Sequence, residues 1–284
     1  MKILITGSKG FIGKHLTSYL AKKRYQIVSY DLLDGKNILD EKQLKKDVRR
    51  VDAILHLAAY GDVYQATNDP VGAVIAGAAT TAMVVKVANE YNIKKIVYAS
   101  TWEVYGKPKY QPIDENHSCT PDHPYSISKY GGELIIQSKL NNVPWIILRL
   151  GSAFGTEMRP YAVIPMFINR ALDGKKIVIH GNGTQFRQFV HTDDINHAFF
   201  QALKSTTNNR IYNIVGDEIL SIKDIADLII QSIPTKIVFV QQRSGDVISA
   251  HISSFKAKKY LRWRSKTLFK VGLSNLIRYM RSRK

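Results

Sequence analysis

Two short stretches, Ser100-Thr101-Trp102-Glu103-Val104-Tyr105-Gly106 and Tyr125-Ser126-Ile127-Ser128-Lys129, carry a hydroxyl, a phenol and an ammonium. Tyr125 and Lys129 are four residues apart on a predicted helix running from Tyr125 to Lys139, so both project from one face. A nearby ammonium favours the phenolate and lowers a tyrosine pKa. A tyrosine so placed can act as a base near neutral pH, where a free phenol with a pKa of about 10 cannot. Thr101 ends a predicted strand, and its hydroxyl is placed to bridge a substrate oxygen and Tyr125. The set suits removal of a proton from an alcohol while a redox cofactor takes the hydride. By itself a Tyr-Lys pair on a helix is a common surface arrangement, so its meaning depends on what positions it.

Lys2 to Thr6 reads as a short buried strand that runs into Gly7-Ser8-Lys9-Gly10-Phe11-Ile12-Gly13. A helical pattern follows, with Ile12, Leu16, Tyr19 and Leu20 on one face. A glycine-rich turn between strand and helix lets backbone amides approach a pyrophosphate, and the helix start adds its partial positive charge. The second strand, Gln26 to Tyr30, ends in Asp31, placed to accept hydrogen bonds from an adenosine ribose. An acid there repels a 2′-phosphate, which favours NAD over NADP. Strands at Ala53–His56, Ile96–Ser100 and Trp145–Leu150 then alternate with helical patterns. This alternation predicts an α/β fold with a doubly wound parallel sheet. Asp31, Ala58, Thr101 and Gly151 all fall at the carboxyl ends of strands, the rim where such sheets bind ligands.

At 284 residues the chain suits one large domain or a main domain with a smaller partner. The first apolar run, Ile3 to Ile5, is too short for a signal core, and no segment approaches the roughly 18–20 unbroken apolar residues of a membrane span. Cys119 stands alone, which excludes an internal disulfide, makes a cysteine metal site unexpected and leaves the cytoplasm as the default location. No metal is expected. With 41 basic and 23 acidic residues the formal charge is +18. From Val247 to Lys284 there is no acid, while Lys256, Lys258, Lys259, Arg262, Arg264, Lys266, Lys270, Arg278, Arg281, Arg283 and Lys284 are basic. That end reads as a phosphate-attracting field, a solvated face or a weak patch for anionic membrane. Nucleic acid is disfavoured, since no basic-aromatic module is present.

Gly7/Gly10/Gly13, Asp31, His56-Leu57-Ala58-Ala59, Ser100-Thr101 before Val104-Tyr105-Gly106, and Tyr125/Lys129 together resemble an extended short-chain dehydrogenase/reductase of the NAD-dependent epimerase/dehydratase family, which acts on nucleotide sugars. The resemblance runs nearly end to end and implies a Rossmann sheet with a smaller α/β C-terminal substrate-binding domain. It implies Thr101, Tyr125 and Lys129 as the catalytic set, with Glu103 where some relatives handle a second proton. It places the cofactor, NAD, against Gly7, Gly10, Phe11, Ile12, Gly13, Asp31, Leu57, Ala58, Ala59, Ser100, Tyr125 and Lys129, with Asn37 and Ile38 at the adenine. It implies a nucleotide-diphosphate sugar as substrate, held by Thr101, Ser152, Arg187 and Arg243, and leaves a homodimer through two helices open.

Several residues depart from the family pattern. Trp102 stands where relatives often have Asp or Ser, and it has no acid to protonate a leaving hydroxyl. Ser152 replaces an asparagine, Phe154 a tyrosine and Gln188 an aspartate, and Gly77 stands near another asparagine position. Asp193 and Asp194 read as caps of a helix over Ile195–Lys204, and His191 as a strand end. The expected division is a NAD-binding domain of residues 1–152 plus about 189–217, and a nucleotide-sugar cap of about 153–188 plus 218–284. The function expected is a nucleotide-sugar 4-epimerase, ahead of a 4,6-dehydratase or a 4-keto reductase or dehydrogenase, and ahead of a non-catalytic dinucleotide sensor.

Overall fold

The structure is a computed structural model that describes residues 1–91, 93–140, 142–241 and 249–284. In chain order the elements are β1 (Lys2–Thr6), α1 (Phe11–Lys22), β2 (Gln26–Tyr30), α2 (Glu41–Val48), β3 (Ala53–His56), α3 (Val63–Asn68), α4 (Pro70–Val74), α5 (Thr80–Glu90), β4 (Lys95–Thr101), α6 (Pro124–Lys139), β5 (Trp145–Leu150) and β6 (Ser152–Phe154). They continue with α7 (Val163–Leu172), β7 (Ile177–His180), β8 (Phe186–His191), α8 (Thr192–Lys204), β9 (Arg210–Ile214), β10 (Ile219–Ser221), α9 (Ile222–Ser232), β11 (Ile237–Val240), α10 (Phe255–Tyr260) and α11 (Phe269–Arg281).

Six parallel strands form the main sheet in the order β2-β1-β3-β4-β5-β9. Every residue of β3, β4 and β5 is buried, as expected of strands covered on both faces. Side chains alternate between the faces. Ile3, Ile5, Leu55, Val97, Ile146 and Leu148 pack with Leu16 and Leu20 of α1 and Phe199 of α8. Their neighbours Leu4, Ile54, Ile96, Tyr98 and Ile147 pack with Leu44 of α2, Val84 of α5 and Ile136 of α6. The strand order reverses between β1 and β3, which opens a crevice at their carboxyl ends.

A second apolar cluster joins Phe154, Ile164, Phe167, Ile225, Ile229, Phe269, Leu273 and Ile277 around the smaller sheets β10-β8-β6 and β11-β7. One segment departs from the expected division. Ala257, Leu261 and Trp263 pack into the cluster on the α1/α8 face of the main sheet, although they lie in 218–284. Trp263 is fully buried and its Nε1–H donates to the Asp194 carbonyl at 2.8 Å.

Pro70–Glu90 is continuous helix, with a π turn over Ile75–Ala79, and by length and composition it could cross a membrane. Here Val84, Val87 and Ala88 are buried in the protein core. The π turn lies under α6: a Cβ on Gly77 would stand 2.7 Å from Ser128 Oγ, so the helices approach through the missing side chain. That contact accounts for glycine at position 77.

Candidate active site

The crevice at β1 and β3 is lined by the glycine turn. Gly7 has φ +67°, and a Cβ there would lie 2.8 Å from the Ala58 nitrogen. A Cβ on Gly13 would lie 2.0 Å from the Gly7 carbonyl oxygen, so α1 starts directly on the turn. Gly10 is the N-cap of α1, and no side chain caps that helix. The amides of Phe11, Ile12 and Gly13 therefore begin a helix with no side-chain cap and no acidic residue in its first turn, which fits a diphosphate. Asp31 ties this turn to the end of β2. Its Oδ2 accepts from Lys9 N at 2.9 Å and its Oδ1 from Leu33 N at 3.0 Å. Asp34 joins it there, held below the usual carboxylate range by Ser29 and Lys9. Two acids at this strand end fit a ribose diol and oppose a 2′-phosphate. Leu32 and Leu33 are largely exposed beside them, an apolar surface that the sequence reading passed over.

Thr6 organises the third side. Its Oγ1 accepts from Leu57 N at 3.1 Å and Ala58 N at 3.2 Å, and lies 2.7 Å from His56 Nδ1. His56 Nε2 lies 3.0 Å from Thr81 Oγ1, which donates to the Gly77 carbonyl at 2.7 Å. Burial, with the Lys129 charge behind it, pushes His56 down to about 3, so the ring is a neutral clamp between β3 and α5. Ala59 follows on the same loop.

The two residues expected at the adenine also have roles within the protein. Ile38 is 6% exposed and packs with Tyr30, Leu44 and Val48, because the chain after β2 must cover that face of the sheet. Asn37 turns its Oδ1 to Leu39 N at 3.0 Å, closing a turn. Ser100 also turns inward, where its hydroxyl donates to Glu133 Oε1.

Thr101 closes β4 and caps the 3-10 turn Trp102–Tyr105, its Oγ1 accepting from Glu103 N at 3.3 Å. The same hydroxyl lies close enough to the Tyr125 phenol, across the α6 start, to lower its pKa. The structure thus joins Thr101 and Tyr125. It does not give Tyr125 the lowered pKa that the Lys129 spacing predicts. Burial raises the phenol most and the Glu103 carboxylate next; Arg159 and Thr101 lower it by less, and Asp62 raises it least. Lys129 shares a helix face with Tyr125, but its Nζ donates to the Ala99 carbonyl at 2.7 Å and sits 5.1 Å from the Tyr98 ring centre. Burial pushes Lys129 down to about 7, so its charge changes near neutral pH.

Three residues around this pair were missed. His123 is the N-cap of α6: Ser126 N donates to its Nδ1 at 3.3 Å and its ring lies parallel to Tyr125 at 6.1 Å. Its Nε2 lies 3.4 Å from Glu103 Oε2. Arg159 and Asp62, which both act on Tyr125, pair at 3.1 Å. His123 stands two residues before Tyr125 in a capping position, a signal that could have found it. Trp102 is 7% exposed and packs with Tyr105, Ile113, Val215, Ala250 and Ile252 in the wall behind the turn.

Ser152 and Arg187 stand on β6 and β8, adjacent strands of the three-stranded sheet that follows β5 through Gly151. Arg187 Nη1 donates to its neighbour's carbonyl, Phe186 O, at 2.8 Å. Arg243 lies outside the described residues. Gln188 is buried, its amide donating to Gly216 O and Ile252 O and accepting from Ile252 N, so here it pins loops together. The expected caps Asp193 and Asp194 are corrected too: His191 caps α8, which starts at Thr192. Asp194 instead accepts from Ser265 Oγ, Lys266 N and Thr267 N. An open groove of about 540 Å³ lined by His197, Gln201, Lys258, Arg262, Trp263, Arg264 and Lys266 shares no residue with the Tyr125 set.

Known proteins fit this geometry. Residues 3–215 match the NAD dependent epimerase/dehydratase family. A Methanocaldococcus jannaschii protein named as a UDP-glucose 4-epimerase is 31% identical over 99% of this chain and 98% of its own length. The human dTDP-D-glucose 4,6-dehydratase is 29% identical over 99% of this chain and 90% of its own. The UDP-glucuronic acid 4-epimerase of Bacillus cereus, solved with UDP-glucuronic acid and NAD, superposes with a TM-score of 0.92 over 100% of both chains at 26% identity. With the family match covering most of its length, the chain belongs to the NAD-dependent epimerase/dehydratase family.

Proposed function

We propose that the protein is an NAD-dependent nucleotide-sugar 4-epimerase that converts the sugar C4 hydroxyl to a transient ketone and reverses its configuration. Bound NAD supplies the hydride acceptor and donor. Gly7, Gly10 and Gly13 with the α1 amides hold its diphosphate, and Asp31 its ribose. The Thr101 hydroxyl and the Tyr125 phenol lie close together, and a C4 oxygen placed against them can exchange a proton with the phenol. A phenol raised by burial rests protonated, which suits donation to the ketone. Removal of the alcohol proton needs added positive charge beside Tyr125. Arg159, which lowers the phenol, supplies part of it, and Lys129 on the same helix face is proposed to add to it when protonated. Ser152, Arg187 and Arg243 are proposed to hold the nucleotide diphosphate sugar, the guanidinium groups matching phosphate oxygens.

The observation that carries this reading is Trp102. Beside the Thr101–Tyr125 pair, the position that needs an acid for loss of water holds a buried indole packed into the wall. A 4,6-dehydratase is the second reading. It is favoured by Glu103, whose Oε2 is buried without a hydrogen bond among the described residues, and by the likeness to the human dehydratase. Incubation with UDP-, dTDP-, GDP- and CDP-sugars in heavy water, followed by NMR, separates the two. Inversion at C4 without deuterium uptake is the expected result, while deuterium uptake with loss of water would replace it by the dehydratase.

A homodimer is proposed through α6 and the Pro70–Glu90 helix, where Val71, Val74, Ile75, Ile127 and Leu134 leave an exposed apolar face. Ile127→Lys with Leu134→Glu is expected to give a monomer by sedimentation. An unchanged sedimentation coefficient removes this interface.

A further inference from the structure

We propose that His123 is a positioning residue that acts through Glu103: its Nε2 fixes the carboxylate beside Tyr125 while its Nδ1 fixes the first turn of the helix that carries Tyr125. The inference rests on the epimerase reading for its kinetic consequence, but its geometry stands without it. The imidazole joins two elements that the chain makes separately, the 3-10 turn Trp102–Tyr105 and α6.

The ring has one tautomer that serves both contacts. Ser126 N donates to Nδ1 at 3.3 Å, so Nδ1 carries the lone pair. A neutral ring then bears its proton on Nε2, which faces Glu103 Oε2 at 3.4 Å. That approach is looser than a formed hydrogen bond, and Oε2 is buried with no hydrogen bond among the described residues. Glu103 therefore depends on the imidazole for polar company on that side. The His123 and Tyr125 rings lie within 5° of parallel, so the histidine also forms a wall of the phenol's site.

Among the described residues, the charged groups facing the pair are few. Asp122 Oδ1 lies 4.0 Å from the same Nε2, and Asp62 and Arg159 face Tyr125 as an ion pair. The Glu103 charge raises the Tyr125 phenol. An Nε2–H directed at that carboxylate offsets part of its field. Removing His123 exposes Tyr125 to more of it, and removing the carboxylate charge relieves Tyr125 whether or not His123 is present.

Three variants test this: His123→Asn, whose side-chain oxygen keeps the helix cap, Glu103→Gln, and the two combined. Thermal melts are expected to show that His123→Asn folds as the parent does. In the substrate-free holoprotein, the ¹⁵N resonance of His123 Nε2 is expected to shift in Glu103→Gln, with Nδ1 unmoved. An unchanged Nε2 resonance overturns the contact, whatever the substrate. For the UDP-sugar that the protein turns over, the acid limb of the kcat/KM profile is expected to move up by about half a pH unit in His123→Asn and down in Glu103→Gln. The double variant is expected to match Glu103→Gln alone. Additive shifts, or an unmoved limb in His123→Asn, overturn the coupling, because a helix cap alone predicts neither shift nor epistasis.

Discussion

Ser100 and Thr101 are neighbours at the end of β4, and α6 provides the partner of each, yet the two clusters they begin are opposite in kind. Around Ser100, the fully buried Glu133 accepts from Arg149 Nε at 3.0 Å and Nη2 at 2.6 Å, and from the Ser100 hydroxyl. The guanidinium also lies 4.7 Å from the Tyr105 ring centre. Around Thr101, Lys129 is equally buried, but the hydrogen bond recorded for its ammonium goes to a neutral carbonyl. Glu103 Oε2 makes no hydrogen bond among the described residues, and Tyr125 is raised by burial. A charge that meets its counter-charge at contact distance stays fixed and ties elements together. Lys129 and Tyr125, whose burial outweighs the charges around them, have their proton equilibria moved, which is what acid–base work needs. The first cluster holds the frame; the second is proposed to do the chemistry.

The sharpest break of this comparison is Tyr125→Phe. Loss of the one group proposed to exchange the proton is expected to cut turnover about a thousandfold, while NAD binding, followed by nicotinamide absorbance or calorimetry, survives. Retained turnover would move the chemistry elsewhere. Next in size is Arg149→Met. It leaves a buried Glu133 charge without its partner, which is expected to cost about 3–5 kcal/mol in denaturant unfolding. Turnover per folded molecule should change little. If it falls as it does for Tyr125→Phe, the two clusters are not separable.

Much of the frame was legible in the chain because short strands rich in apolar residues alternate with helical patterns. Lys2–Thr6, Gln26–Tyr30, Ala53–His56 and Trp145–Leu150 all form with the bounds their sequence predicts. The site was legible by residue type and less so by direction. Four-residue spacing places Tyr125 and Lys129 on one side of a helix, but a lysine stem long enough to reach Ala99 O is not fixed by spacing. The Arg159–Asp62 pair joins residues 97 apart, which no local pattern reports. His123 and His191 both cap helices with a ring nitrogen, a role usually read from Ser, Thr, Asp or Asn. Ile38 packs into the core beside Tyr30 and Leu44, a contact that its place in the family pattern does not report.

Lys129 gives a test in which stability and activity part company. Its folded value, about 7, lies below its ordinary 10.5. Between those values the unfolded chain binds more protons than the folded one, so this group makes stability rise with pH across that window. Lys129→Met removes the charge, and is expected to stabilise the protein by about 1–3 kcal/mol at pH 6–7, an advantage that fades toward pH 10. Turnover should fall steeply in the same variant. Melting temperatures measured from pH 6 to pH 10 check the slope; a parent protein with a flat profile would mean that the ammonium stays charged.

The smallest expected effects set the two neighbours against each other directly. Ser100→Ala removes one donor from Glu133, which still holds both Arg149 contacts. The cost should be about 1 kcal/mol of stability with turnover unchanged. Thr101→Val keeps the shape and removes the hydroxyl that lowers the Tyr125 phenol. Turnover should fall about tenfold with little change in melting temperature, since that hydroxyl matters most when the phenol carries charge. The pair works as a control for each other, being adjacent, similar in size and buried alike. If Ser100→Ala loses turnover and Thr101→Val loses stability, the boundary between frame and chemistry runs elsewhere in β4.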